Sequence, residues 1–375
     1  MEVFFEKEPK PINIKEKPQF LSLPKSVNLK QINDFAKKYI KYKNIIVLGT
    51  GGSVITLELL YEALKPKKNL FILDSTHTEE VKDVLNKCKK SDSLVFVISQ
   101  SGSTLETLSL YLLFKDYKCI FITRGGILKE ISKLNKIETY EFPEIAGRYS
   151  GISNVSFLPA VLLNLNIEKI IEGSLDFFLK ESEKALKSAS FIFSNYKKNK
   201  TELFLSSYSD RLNSFNYFCS QLFLESLGKN NKSITFCSRK APRMQHEAIQ
   251  RILGGKKNLQ VMLLKVNDSK NSLKITVPNN LTSLLGFLDN KTSNQIINSE
   301  FEGTKKSIIE KKIPLFVVEL NSLDEYELGK LISFTQLTIF YLAKLMKVNP
   351  YDNPEVDKGK DFTLNFLKNS TCPEY

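Results

Sequence analysis

The stretch Asn44–Ser53 reads N-I-I-V-L-G-T-G-G-S, a short run of apolar residues that stops at a glycine-rich turn. Fifty residues on, Ser93–Thr104 reads S-L-V-F-V-I-S-Q-S-G-S-T and repeats the design with hydroxyls in place of glycines. A continuous apolar run of this length is a strand buried on both faces, which places it in a parallel sheet covered by helices. Working outward, Asn69–Leu73 and Cys119–Thr123 are further strands. Helical patterns lie between them, from Ser53 to Leu64, near Glu79–Cys88, and from Thr104 to about Phe114. The pattern recurs later in the chain. Glu202–Ser206, Ser233–Cys237, Gln260–Val266 and Pro314–Leu320 read as strands, Arg211–Leu227 and Met244–Leu253 as helices. The expected fold class is α/β, with two doubly wound parallel-sheet domains, each a three-layer α/β/α sandwich. The expected boundaries are a proline-rich lead-in over 1–28, a first domain over 29–165 and a helical connection over 166–200. A second domain then spans 201–348, and a closing segment 349–375. The length of 375 residues suits two domains at roughly 150 residues each.

In such sheets ligands bind where loops leave the carboxyl ends of strands. Gly49–Ser53 and Ser99–Thr104 both follow strands and open helices. Glycines let backbone N–H groups approach a phosphate, the helix start adds a positive dipole, and hydroxyls donate further bonds. Taken singly, each loop reads equally as turn chemistry with a hydroxyl helix cap. The pair favours an anion. A P-loop ending in G-K-[ST] is missing, which argues against a nucleoside triphosphate. A dinucleotide fingerprint fails because Val54 occupies its third glycine position and the hydroxyl loop has no role in it.

Composition narrows the classes. The five cysteines, Cys88, Cys119, Cys219, Cys237 and Cys372, are never spaced as CxxC and read as reduced thiols. With His77 and His246 the only histidines, a multi-histidine metal site is excluded, and His77 reads as a loop residue. The net charge of +13 is mostly lysine. No aromatic-interleaved basic motif accompanies it, so neither nucleic acid nor a membrane is expected as a partner. The six arginines carry more information. Arg239, Arg243 and Arg251 bracket His246, and Arg148 lies in G-R-Y-S. The first ten residues lack a signal-peptide core, and Leu331–Met346 is too polar to span a membrane. A cytoplasmic protein is the expectation.

Six motifs in order resemble the phosphoglucose isomerase family, of the sugar isomerase (SIS) fold, over about Asn44–Lys360. They are G-T-G-G-S, S-Q-S-G-S-T-L-E-T, A-G-R-Y-S at Ala146–Ser150, Q-L-F-L-E-S-L-G-K at Gln221–Lys229, Gln245-His246, and N-P-Y-D-N-P-E-V-D-K-G-K at Asn349–Lys360. The resemblance implies a metal-independent aldose–ketose isomerase acting on glucose 6-phosphate and fructose 6-phosphate through an enediolate. It implies Glu225 as the base, Arg148 as the cation facing the enediolate, and His246 and Lys360 as the ring-opening pair. Phosphate and sugar contacts would be Gly52, Ser53, Ser99, Ser101, Thr104 and Gln221. No cofactor and no metal are implied. The implied partner is a small sugar phosphate, and the implied assembly a homodimer whose His246 crosses the interface. The apolar neighbours Phe223, Leu224 and Leu227 lead to the expectation of an apolar setting for Glu225. Departures from the family pattern are Gln100 for a lysine, Leu227 for an asparagine, Asn353 for a glutamine, and S-R-K-A-P-R-M before Gln245-His246. Arg239, Lys240 and Arg243 could restore charge near the phosphate or simply face solvent. The altered contacts leave two alternatives open, a bifunctional phosphoglucose/phosphomannose isomerase and a non-catalytic sugar-phosphate-binding regulatory protein.

Overall fold

A computed structural model describes residues 1–267 and 272–369. Strand β1 (Glu2–Phe5) and helix α1 (Leu29–Tyr39) precede the first glycine turn. Then follow β2 (Asn44–Leu48), α2 (Ile55–Leu64), β3 (Asn69–Leu73), α3 (Thr78–Lys87), β4 (Ser93–Ser99), α4 (Leu105–Phe114), β5 (Lys118–Thr123), α5 (Gly126–Leu134) and β6 (Thr139–Glu141). Helices α6 (Asn154–Leu162), α7 (Ile167–Asp176) and α8 (Ser182–Tyr196) lead to the second sheet. There the order is β7 (Glu202–Tyr208), α9 (Asn213–Leu227), β8 (Thr235–Lys240), α10 (Ala248–Gly254), β9 (Leu259–Val266), α11 (Ser293–Glu310) and β10 (Leu315–Leu320). Helices α12 (Glu325–Met346) and α13 (Pro354–Asn369) follow.

The first sheet has the order β3-β2-β4-β5-β6 and is parallel throughout. Every residue of β2 and β4 is buried, as their unbroken apolar runs require. The chain winds outward from β2 to β3, then reverses to β4 on the other side. The switch point therefore lies between the carboxyl ends of β2 and β4, where the two loops emerge. The second sheet, β1-β10-β9-β7-β8, is parallel except for β1. One apolar core lies between the two sheets, built largely on α2, α7, α9 and α12. A separate core covers the far face of each sheet. The fold is therefore α/β, two parallel-dominated sheets with helices on both faces.

Several elements differ from the sequence expectation. Residues 2–5, placed in the lead-in, form the antiparallel edge of the second sheet. The strand expected at Ser233–Cys237 runs Thr235–Lys240, because β8 takes its register from β7. The helix expected over Met244–Leu253 is interrupted at Glu247, whose φ of −141° is not helical. A 3-10 turn at Arg243–His246 precedes it, and α10 begins only at Ala248. Gln245 fixes that turn by donating to Tyr208 Oη, Thr304 Oγ1 and the Glu300 carbonyl. Cys88, Cys119, Cys219 and Cys237 are free thiols. Burial pushes the Cys119 thiol up to about 12. Cys372 lies outside the described residues. Among the described residues no helix is long and apolar enough to cross a membrane.

Candidate active site

The two switch-point loops are shaped by close backbone approach. A Cβ on Gly52 would lie 2.3 Å from the Arg148 nitrogen and 2.3 Å from the Gly147 carbonyl carbon. Only glycine lets the first loop rest on the 147–148 backbone. Gly102, at φ +66°, would place a Cβ 1.8 Å from the Gly125 oxygen, so the second loop is locked to the turn after β5. Within that loop Ser99 Oγ and Thr104 Oγ1 are 2.8 Å apart, and Gly102 N–H donates to Ser99 Oγ at 3.1 Å. Thr104 precedes α4 yet makes no side-chain cap. The first N–H groups of α4 are thus left without a hydroxyl from their capping residue, the arrangement that suits an anion. Ser99 is buried and holds the loop from within, while Ser101 is exposed and Ser53 and Thr104 are half-buried.

Arg148 stands where the two loops meet, and it is buried to 3% exposure. Its Nε donates to Ser226 Oγ at 2.9 Å and its Nη1 to Glu225 Oε1 at 2.7 Å. Nη2 donates to the carbonyls of Pro350 and Asp352 at 2.6 and 2.9 Å. A buried guanidinium is tolerated when most of its five N–H donors are met in this way, and here four are. Tyr149, stacked on Phe20 at 5.0 Å, shares Ser226 Oγ at 3.1 Å. Its burial pushes the phenol well above the usual range.

Glu225 projects from α9 with 23% of its side chain exposed. Gln221, one helical turn earlier, donates to Oε2 at 3.2 Å, and Asn353 donates to Oε1 at 3.0 Å. The expected apolar setting is therefore not found. Phe223 and Leu227 turn into the core and Leu224 is 51% exposed, so the carboxylate keeps polar company. The helix period sets residues 223 and 227 on the side away from the face that carries 221 and 225. Glu225 lies between two openings. One, of about 480 Å³, is lined by Gln19, Gln100, Arg124, Glu144–Arg148, Tyr351 and Asn353. The other, of about 730 Å³, includes Lys229, Asn349 and Asp352.

Lys229 clasps the closing segment, donating to the carbonyls of Asn349 and Asp352 and pairing with Asp352 Oδ1 at 2.6 Å. That pairing holds the Asp352 carboxyl below the usual carboxylate range. His246 and Lys360 are exposed and line neither opening. Arg239, Lys240 and Arg243 line a different groove, where Arg239 pairs with Glu247 and Lys240 with Asp210. Neither of those acids belongs to the Ser99–Thr104 loop. His77 is exposed just before α3. Among the described residues no three His, Cys, Asp or Glu side chains gather into a metal-holding group. Ser226, Lys229 and Arg124 were not singled out by sequence reasoning. The first two at least fall inside the E-S-L-G-K motif.

The phosphoglucose isomerase family profile matches residues 22–372. The chain belongs to the phosphoglucose isomerase family. The glucose-6-phosphate isomerase of Campylobacter jejuni is 30% identical over 356 residues, covering 88% of this chain and 86% of its own. That of Methanocaldococcus jannaschii is 27% identical over 347 residues, with 87% and 85% covered. Among solved structures, a hypothetical protein of Thermus thermophilus matches with TM-score 0.86 at 23% identity, covering 94% and 92%. A glucose-6-phosphate isomerase from Chlamydia trachomatis matches with TM-score 0.74 at 16% identity, covering 96% and 80%. These two structural likenesses establish the shared fold.

Proposed function

We propose that the protein is an intramolecular oxidoreductase interconverting glucose 6-phosphate and fructose 6-phosphate, with Glu225 as base. The observation that carries this reading is the Glu225 carboxylate, fixed 2.7 Å from the buried Arg148 guanidinium beside the switch-point loops. Glu225 takes the proton from C2 of the open-chain aldose and returns it to C1. Arg148 holds the negative charge that develops on the enediolate oxygens. Gln221 and Asn353 orient the carboxylate. The exposed loop hydroxyls and the start of α4 receive the phosphate. Moving one proton between adjacent carbons calls for no redox cofactor.

His246 and Lys360 open the sugar ring in this scheme. Because His246 is exposed and outside both openings, its own chain is the wrong donor. A homodimer in which it enters the partner's cavity fits that placement. A cytoplasmic location suits the substrate.

The test is a coupled assay on chelator-treated protein with both sugars. Turnover is expected with wild type, and Glu225→Gln should lose at least about 10³-fold while still binding fructose 6-phosphate. Full turnover by that variant would overturn the assignment. Mannose 6-phosphate in the same assay sets the substrate range.

A further inference from the structure

Two guanidinium groups line the smaller opening beside Glu225, Arg148 and Arg124, and only one is committed. Arg148 is buried against four acceptors. Arg124 follows β5 and is 44% exposed. Its one ion pair among the described residues is with Glu144, itself 80% exposed. An exposed pair of this kind contributes little to stability, so exchanging it for another anion costs little.

The segment bearing Arg124 is anchored to the hydroxyl loop. Arg124 N–H donates to the Gln100 carbonyl at 3.2 Å, and Thr123 Oγ1 donates to the Gly125 carbonyl at 3.1 Å. Gly126, at φ +66°, would bring a Cβ within 2.2 Å of the Ser101 oxygen. Gln100 is neutral, and its amide is spent on the Ile145 carbonyl at 2.6 Å. Of the side chains lining this opening, Arg124 is therefore the cation left to meet a doubly charged ligand. A guanidinium matches phosphate oxygens in a bidentate fork.

We propose that Arg124 is a substrate-binding residue that leaves Glu144 to take the phosphate group, supplying the charge that Gln100 lacks. This rests on the reading of the ligand as a sugar phosphate. Glu144 then acts as a resident competitor, and the two residues have opposite effects on affinity.

The experiment measures kcat and KM for fructose 6-phosphate in wild type, Arg124→Gln, Glu144→Gln and the double variant Gln100→Lys/Arg124→Gln. The rise in melting temperature with inorganic phosphate is recorded in parallel. Arg124→Gln should raise KM about 10- to 100-fold, with kcat changed far less, and should blunt the phosphate-induced rise. Glu144→Gln should lower KM, and Gln100→Lys should recover much of what Arg124→Gln loses. Unchanged KM and an unchanged phosphate response in Arg124→Gln would overturn the proposal. So would a Glu144→Gln variant that raises KM as Arg124→Gln does, since the pair would then be structural. A wild type without turnover, but with an Arg124-dependent phosphate response, would refute the isomerase reading and leave Arg124 standing.

Discussion

Arg148 and Glu225 belong to a network of hydrogen bonds made within the chain, whereas His246 and Lys360 stand exposed and do not themselves line either opening. The first pair is set by folding. Under the proposed mechanism the second has yet to be brought to the reacting atoms, by a second copy in the case of His246. Preorganised charge at the cavity is worth most when it need not rearrange during reaction, so it is the enediolate end that the fold builds in. On the proposed reading, ring opening is left to groups delivered later.

Breaking the preorganised half should have the largest effect. Arg148→Ala removes the cation facing Glu225 and a donor to the Pro350 and Asp352 carbonyls, and such a loss in a buried network costs about 3–5 kcal/mol. Turnover should fall about 10²–10³-fold as well, and melting curves with initial rates read both. Breaking the exposed half should separate the two readouts. His246→Ala should cost about 10²-fold or more in turnover, with stability within about 0.5 kcal/mol of wild type. A large drop in melting temperature would mean that His246 is structural. Mixing His246→Ala with Glu225→Gln protein should restore part of the activity if the histidine crosses between copies.

The smallest effect sharpens the boundary between the halves. Asp352 is held below the ordinary carboxylate range, chiefly by the hydrogen bond from Lys229. A depressed folded-state value contributes stability above the unfolded value, near about 3.9. That contribution is lost as pH falls through the folded value. Wild type should therefore lose its margin over Asp352→Asn below about pH 4. A margin unchanged into strong acid would remove the pair from the account.

Much of the first sheet was legible because Asn44–Leu48 and Ser93–Ser99, buried throughout, carry near-continuous apolar runs, and Asn69–Leu73 repeats the pattern at the edge of the sheet, where only Leu73 is buried. Residues 2–5 were not, because an edge strand of four residues is made by its partner, here Phe316–Glu319, more than 300 positions away. The break at Glu247 was equally hidden. No glycine or proline marks it, and the turn before it is fixed by Gln245 reaching the distant Thr304. At the site, Arg148, Glu225 and Gln221 were readable from their motifs. The contacts made by Asn353 and Lys229 depend on how residues 349–353 fold back, which local pattern does not encode. Arg124 left one signal, its rarity among a lysine-rich set of cations.

The way Arg148 and Lys229 grip the closing segment has a further consequence. Both reach main-chain carbonyls, those of Asn349, Pro350 and Asp352. A carbonyl is the same whatever side chain it belongs to, so the grip measures chain length more than residue identity. Position 350 can drift in sequence while the count of residues between α12 and Asn353 cannot. Insertions and deletions, more than point changes, are what this part of the molecule resists.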